Sequence, residues 1–232
     1  MKTLIPIIVL FALSLSSCDF GVVGNGNVEV RDEKIKKFTR LEIDGNFDVY
    51  LTQSRTSSLR IEADENLQEL IDVYQDGNRL KIVARENILR AKKKSLFISF
   101  SDLAKMDLNG AIDIRGKTPI DVSSLAVTCS GAIDMRMEFD TEKLRLDISG
   151  AANCDIEGQT EELIIELSGA GDFNAIDLRS EIVSIELSGA AHAKVFAADN
   201  LDVDISGVGS IRYKGDPEIR KSISGIGSLK KY

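Results

Sequence analysis

The chain has 232 residues, of which 37 are acidic and 29 basic, for a formal charge of −8 at pH 7, and it contains no tryptophan. That acidity excludes nucleic acid as a partner, since phosphate binding needs a basic surface. An aromatic content of 6% is low for an enzyme cleft or a carbohydrate-stacking platform. In chain order, Lys2 and the apolar run "LIPIIVLFALSL" read as a signal peptide over residues 1–17, too short for a comfortable membrane span. The run ends in "LSSC" (15–18), the lipobox pattern, so Cys18 is the expected lipidation site. A multiply acylated terminus holds a protein stably at a membrane. The expected location is therefore the cell envelope, exported and lipid-anchored, at the outer membrane.

Residues 18–37 are Gly/Asn-rich and then charged, and read as a lipidated tether with "VEV" (28–30) as a candidate first strand. From Phe38 to Tyr232 a single domain is expected. Its first part, 38–105, alternates apolar and polar residues in "FTRLEIDGNFDVYL", "SLRIEA", "RLKIVA" and "SLFISF", the period of half-buried strands. "QDGN" (75–78) marks a turn. Helical turns are expected only at "ENLQELI" (65–71) and "ENILRAKKK" (86–94).

The second part, 106–229, is an internal repeat. Related heptads, from "LNGAIDI" through "LSGAGDF" to "ISGVGSI" and "ISGIGSL", carry glycines at Gly110, Gly131, Gly150, Gly169, Gly189, Gly207 and Gly225, spaced 21, 19, 19, 20, 18 and 18 residues. Apolar residues recur two, four and six positions before each glycine and four after it. Such columns include Met106, Val127, Leu146, Ile165, Ile185 and Val203, with Lys221 breaking the column in the last repeat, and Ala104 opens the column at six before. A unit of 18–21 residues cannot bury its apolar face alone and must stack on its neighbours. The Asn ladder of a leucine-rich repeat is missing. The expected fold is all-β, a right-handed parallel β-helix (solenoid) with coils of about 18–21 residues and strands about 4.8 Å apart. The glycines would form corners of close backbone approach or positive φ. The column Asn109, Ser130, Ser149, Ser168, Ser188, Ser206 and Ser224 would satisfy corner backbone groups. "LEIDGNFDV" fits the template around Gly45, and the 65 residues from Gly45 to Gly110 leave room for about three irregular coils.

The lipobox, "FTRLEIDGNFDVYL", "ENLQELIDVYQDGNRLKIV" and the serial "SGA"/"SGxG" corners together resemble the DUF2807 family, the putative auto-transporter adhesin, head GIN domain. The resemblance runs from about residue 36 to 229. It implies a right-handed parallel β-helix, an exported or surface location and no catalytic residues. The chain shows no translocating barrel, so an adhesin of this build would be held by its lipid.

Three residues after the glycines stand Asp48, Asp113, Asp134, Asn153, Asp172, His192, Ser210 and Ser228. Carboxylates about 5 Å apart repel by roughly 1 kcal/mol in water. Such a column needs solvent or a cation, and calcium is the natural oxygen-ligand choice. Asp113, Asp134 and Asp172 are the candidate ligands, although no D-x-D-x-D-G loop accompanies them, and the expectation is a solvated column with no metal and no cofactor. His192, the one histidine, reads as a surface substitution. Cys129 and Cys154 read as buried, unpaired small hydrophobes on different walls. "RAKKK" (90–94) reads as a solvated turn, with lipid headgroups or anionic glycan as the functional alternative. The leading functional expectation is a non-enzymatic adhesin or binding module whose partners are the membrane, through the N-terminal lipid, and a glycan or surface protein. The alternatives are a structural or envelope-assembly lipoprotein and, behind it, a carbohydrate-active β-helix enzyme.

Overall fold

The computed structural model describes residues 21–232, so the signal segment and Cys18 lie outside the described residues. Almost everything described is strand. Val22–Val23 (β1) and Val28–Glu33 (β2) lead into the long strand Arg40–Gln53 (β3), followed by Ser58–Asp64 (β4) and the single helical turn Glu65–Gln68 (α1). Ile71–Asp76 (β5), Arg79–Ala84 (β6), Ile88–Arg90 (β7) and Lys94–Phe100 (β8) complete the first part. The repeat follows as Lys105–Gly116 (β9), Ile120–Leu167 (β10), Ala170–Leu187 (β11), Ala190–Ile205 (β12), Val208–Lys214 (β13), Glu218–Ile223 (β14) and Ile226–Lys231 (β15).

The repeat stacks as a parallel β-solenoid. Gly110 pairs in register with Gly131, and the ladder continues from β10 to β11, β12 and β13 and ends on β15, with β14 beside β12. The pairing offsets reproduce the spacing of the glycines, because only a like-on-like register keeps every aliphatic column inside. Each turn bends at its glycine, giving a leading face before the corner and a trailing face after it. Met106, Val127, Leu146, Ile165, Ile185 and Val203 lie buried above one another in the leading face. Ile114, Met135, Cys154, Phe173, Ala193 and Ile211 do the same in the trailing face. Ala104 departs from its expected column: it is exposed, and Leu103 takes the inward place. The last turn is the least covered, with Ile219 37% and Ile223 39% exposed.

The first part is not three further coils. Gly45 lies directly against Gly110, in register along β3 and β9 from Arg40 to Leu51. The chain between them lays β6 and β8 parallel on the two halves of β3 and adds antiparallel strands beyond them. One half of β3 continues through β8, β4 and β2, and the other through β6 and β5. Leu67 and Ile71 are buried where this segment packs on the core. Of the two expected helical segments only the first forms. Residues 86–94 supply β7 and the start of β8, because the apolar positions there are used by strand partners.

Residues 21–37, read from the sequence as part of a tether, are paired: β1 runs parallel to β7 and β2 antiparallel to β4. Asp64 fastens this segment. Its buried carboxylate accepts backbone N–H bonds from Gly26 (2.9 Å), Lys92 (3.1 Å) and Lys93 (3.0 Å). Burial pushes its pKa up, but the three donors and the nearby Lys92 charge outweigh that and hold it below the usual carboxylate value. The basic run 90–94 is thus partly consumed in holding the N-terminal end rather than forming a freely solvated turn.

Candidate functional site

The glycine corner organises the surface around it. A Cβ on Gly169 would stand 1.8 Å from the carbonyl oxygen of Gly150, and one on Gly189, Gly207 or Gly225 within 1.9–2.0 Å of the glycine oxygen one turn earlier. None of these four has positive φ, whereas Gly110, Gly131 and Gly150 do, at +113°, +105° and +133°. Close approach of backbone to backbone is therefore the requirement common to the column, and positive φ an addition at its N-terminal end. Beside it, Ser130 bonds Asn109, and Ser149 and Ser168 donate to the carbonyls of Cys129 (3.3 Å) and Ile148 (3.4 Å).

On the other side of the corner runs a stripe of exposed alanines, Ala111, Ala132, Ala151, Ala170 and Ala190. With Lys94, Asp48, Asp113, Asp134 and Asn153 its first four members line an open trough of about 380 Å³. The predicted column along its rim is real: Asp48, Asp113 and Asp134 stand in register, and Asn153, Asp172, His192, Ser210 and Ser228 follow in register.

The chain supplies its own countercharges here. Arg115, two residues after Asp113 and so on the same strand face, grips both of its carboxylate oxygens at 2.9 Å. Arg136 approaches Asp134 at 3.6 Å. Half-buried Lys94 donates to Asn46, and burial lowers its pKa while Asp48 and Asp113 oppose that shift. Asp172 stays exposed on the same rim. No group of three or more His, Cys, Asp or Glu side chains is arranged to hold a metal among the described residues. The arginine pairs were missed from the sequence, although the i,i+2 spacing on a strand is their signal.

His192 is exposed, and its Nδ1 meets Ser210 Oγ at 2.9 Å. Cys129 and Cys154 are both buried free thiols. Burial pushes the Cys129 pKa up to about 12, and burial with the neighbouring Cys129 pushes Cys154 up as well, so neither offers a thiolate nucleophile at neutral pH. A second open trough, of about 560 Å³, has an acidic lip of Asp121, Asp140, Glu142, Glu161 and Glu181. Its floor is a buried hydroxyl pair, Thr141 and Thr160, 2.9 Å apart.

No curated protein matches the chain. Solved structures do match its fold. A putative adhesin from Bacteroides fragilis NCTC 9343 is 24% identical and covers 91% of this chain and 100% of its own, with a TM-score of 0.83. A putative adhesin from Parabacteroides merdae ATCC 43184 is 20% identical over 91% and 98%, with a TM-score of 0.67. A putative lipid binding protein from Parabacteroides distasonis ATCC 8503 is 24% identical over 91% and 99%, with a TM-score of 0.69. The DUF2807 family, described as putative auto-transporter adhesin, head GIN domain, matches residues 37–217. This chain, with its glycine-cornered solenoid, belongs to that family.

Proposed function

We propose that the protein is a non-enzymatic adhesion module of the cell envelope, held by lipid on Cys18 and presenting the flat faces of its solenoid to an external partner. The observation that carries this reading is the uniformity of the turns. From Gly110 to Gly225 every turn takes 18–21 residues, so no long loop rises to wall a cleft, and outward side chains repeat in register from turn to turn. Such a surface suits a long, repetitive partner better than a small substrate. Stacking from Gly45 to Gly225 spans about 34 Å at roughly 4.8 Å per strand. The adhesin name carried by the family and by two of the three structural neighbours described above supports the same reading.

The test is attachment. Beads carrying the Cys18→Ala protein are offered to mucin, to purified envelope polysaccharides and to bacterial cells. Retention above that of beads carrying an unrelated acidic protein is expected on at least one surface. Equal retention on all of them would leave the structural lipoprotein as the better reading.

A further inference from the structure

The trailing face changes character along the solenoid. Its outward positions three and five residues after the glycine read Asp113/Arg115 and Asp134/Arg136 in the first regular turns. Next come Asn153/Asp155 and Asp172/Asn174, and finally His192/Lys194, Ser210/Arg212 and Ser228/Lys230. The early arginines are matched by the aspartates two residues before them. The last three cations have lost that partner. Lys194 pairs in register with Arg212, and Arg212 with Lys230, so three cationic residues are stacked on one exposed face. None has a carboxylate within ion-pair distance among the described residues; the nearby pairs are Lys214–Asp177 and Lys231–Asp216.

Like charges directly opposite each other across strands are unfavourable. The first turns relieve this with an aspartate, and the last turns put a hydroxyl or imidazole there instead. We infer that this strip, Lys194, Arg212 and Lys230 with His192, Ser210 and Ser228 beside them, binds an anionic polysaccharide lying along the solenoid axis. The inference rests on the adhesion reading and names its partner class. The spacing between turns, about 4.8 Å, is comparable to the rise per sugar of an extended polysaccharide, so successive uronate or sulfate groups meet successive cations. Ser210 and Ser228 offer hydroxyl donors. Exposed apolar side chains flank the strip, Val208 (54%) and Ile226 (80%) on one side and Tyr232 (66%) on the other, where the C–H faces of sugar rings can rest. A nucleic acid fits less well. The strip is one cation wide, Asp177 and Asp216 stand near its margin, and the whole chain is acidic.

The test uses the Cys18→Ala protein and polygalacturonate, with neutral dextran and duplex DNA as comparison ligands. Binding to polygalacturonate is expected to weaken with salt at a slope of about −2 in log K against log concentration, or about sixteenfold from 50 to 200 mM, for three cations at roughly 0.7 each. Lys194→Gln/Arg212→Gln/Lys230→Gln should lose about tenfold or more. Ser210→Asp/Ser228→Asp, which rebuilds the aspartate–cation pairs without removing a cation, should lose as much. Lys34→Gln/Lys36→Gln/Lys37→Gln removes the same charge elsewhere and should stay within about twofold. Absence of polygalacturonate binding, equal losses in the two triple variants, or tighter binding to DNA would each overturn the strip. If wild-type beads adhere to cells while the Lys194/Arg212/Lys230 variant adheres equally well, the strip fails and the adhesion reading stands. If polygalacturonate binds through the strip and beads adhere to nothing, the adhesion reading fails alone.

Discussion

Substitution of Gly169 by alanine isolates the close approach at the corner, because Gly169 does not have positive φ. The new Cβ would lie 1.8 Å from the oxygen, 2.5 Å from the nitrogen and 2.7 Å from the carbonyl carbon of Gly150. All three are backbone atoms, so no side chain can swing aside, and the two turns must separate locally by more than about an ångström. A hydrogen bond that crosses this contact is Ser168 N–H to Ile148 O at 3.0 Å. Weakening it costs about 1 kcal/mol, and the overpacking adds about 1–3 kcal/mol. A loss near 2–4 kcal/mol lowers the melting temperature of a domain this size by roughly 4–16 °C. Gly116→Ala is the control, since its nearest neighbour is Thr118 O at 3.4 Å, an ordinary contact, and its φ is also not positive. Thermal unfolding followed by circular dichroism should rank Gly169→Ala well below Gly116→Ala, with Gly150→Ala at least as low because its φ of +133° adds strain. Equal melting temperatures for Gly169→Ala and Gly116→Ala would refute the close-approach argument. Gly24, which the sequence placed in a free tether, is no neutral control: a Cβ there would stand 2.1 Å from Asp64 Oδ2.

Ile165→Ala removes one member of the fully buried leading column and should cost about 2–5 kcal/mol by denaturant titration; a cost below about 1 kcal/mol would deny the column its place in the core. Cys18→Ala should move the protein from the membrane to the soluble fraction while it stays folded, and retention in membranes after a high-salt wash would rule out the lipid anchor. Asp113→Asn exchanges an exposed pair with Arg115 for relief of repulsion along the column, so stability should change by less than about 1 kcal/mol. Chelator should leave the wild-type melting temperature unchanged, and a clear drop would assign a cation to the acidic rim. Asp64 has its folded pKa lowered, so its contribution is present above the unfolded value of 3.8 and is lost as pH falls through the folded value. Acidification from pH 6 to 3 should therefore destabilise the wild type more steeply than Asp64→Asn, and parallel pH curves would count against the Asp64 clasp.

The turns between Gly110 and Gly225 were legible because a solenoid stacks like on like. Residues that share a column in the alignment, such as Ile165, Ile185 and Val203, share a column in space, and the glycine spacing is itself the register. Glycine at the corner followed from the same logic, as did the acidic rim beginning at Asp113. The hairpins of residues 54–104 were not legible, since alternation with period two is identical for a strand that continues a coil and for one that turns back antiparallel. Only tertiary pairing chose between them, by setting Gly45 directly against Gly110 and using β2, β4 and α1 to close the end. Charge is legible along a strand but not across strands. Asp113 answers Arg115 from two residues before it, a spacing the sequence shows. The stacking of Lys194, Arg212 and Lys230 follows from strand pairing, and none of the three has a carboxylate within ion-pair distance among the described residues. Strand periodicity fixes which side of the sheet a residue faces; the identity of its neighbour is decided by which strands pair, and that is a property of the folded chain.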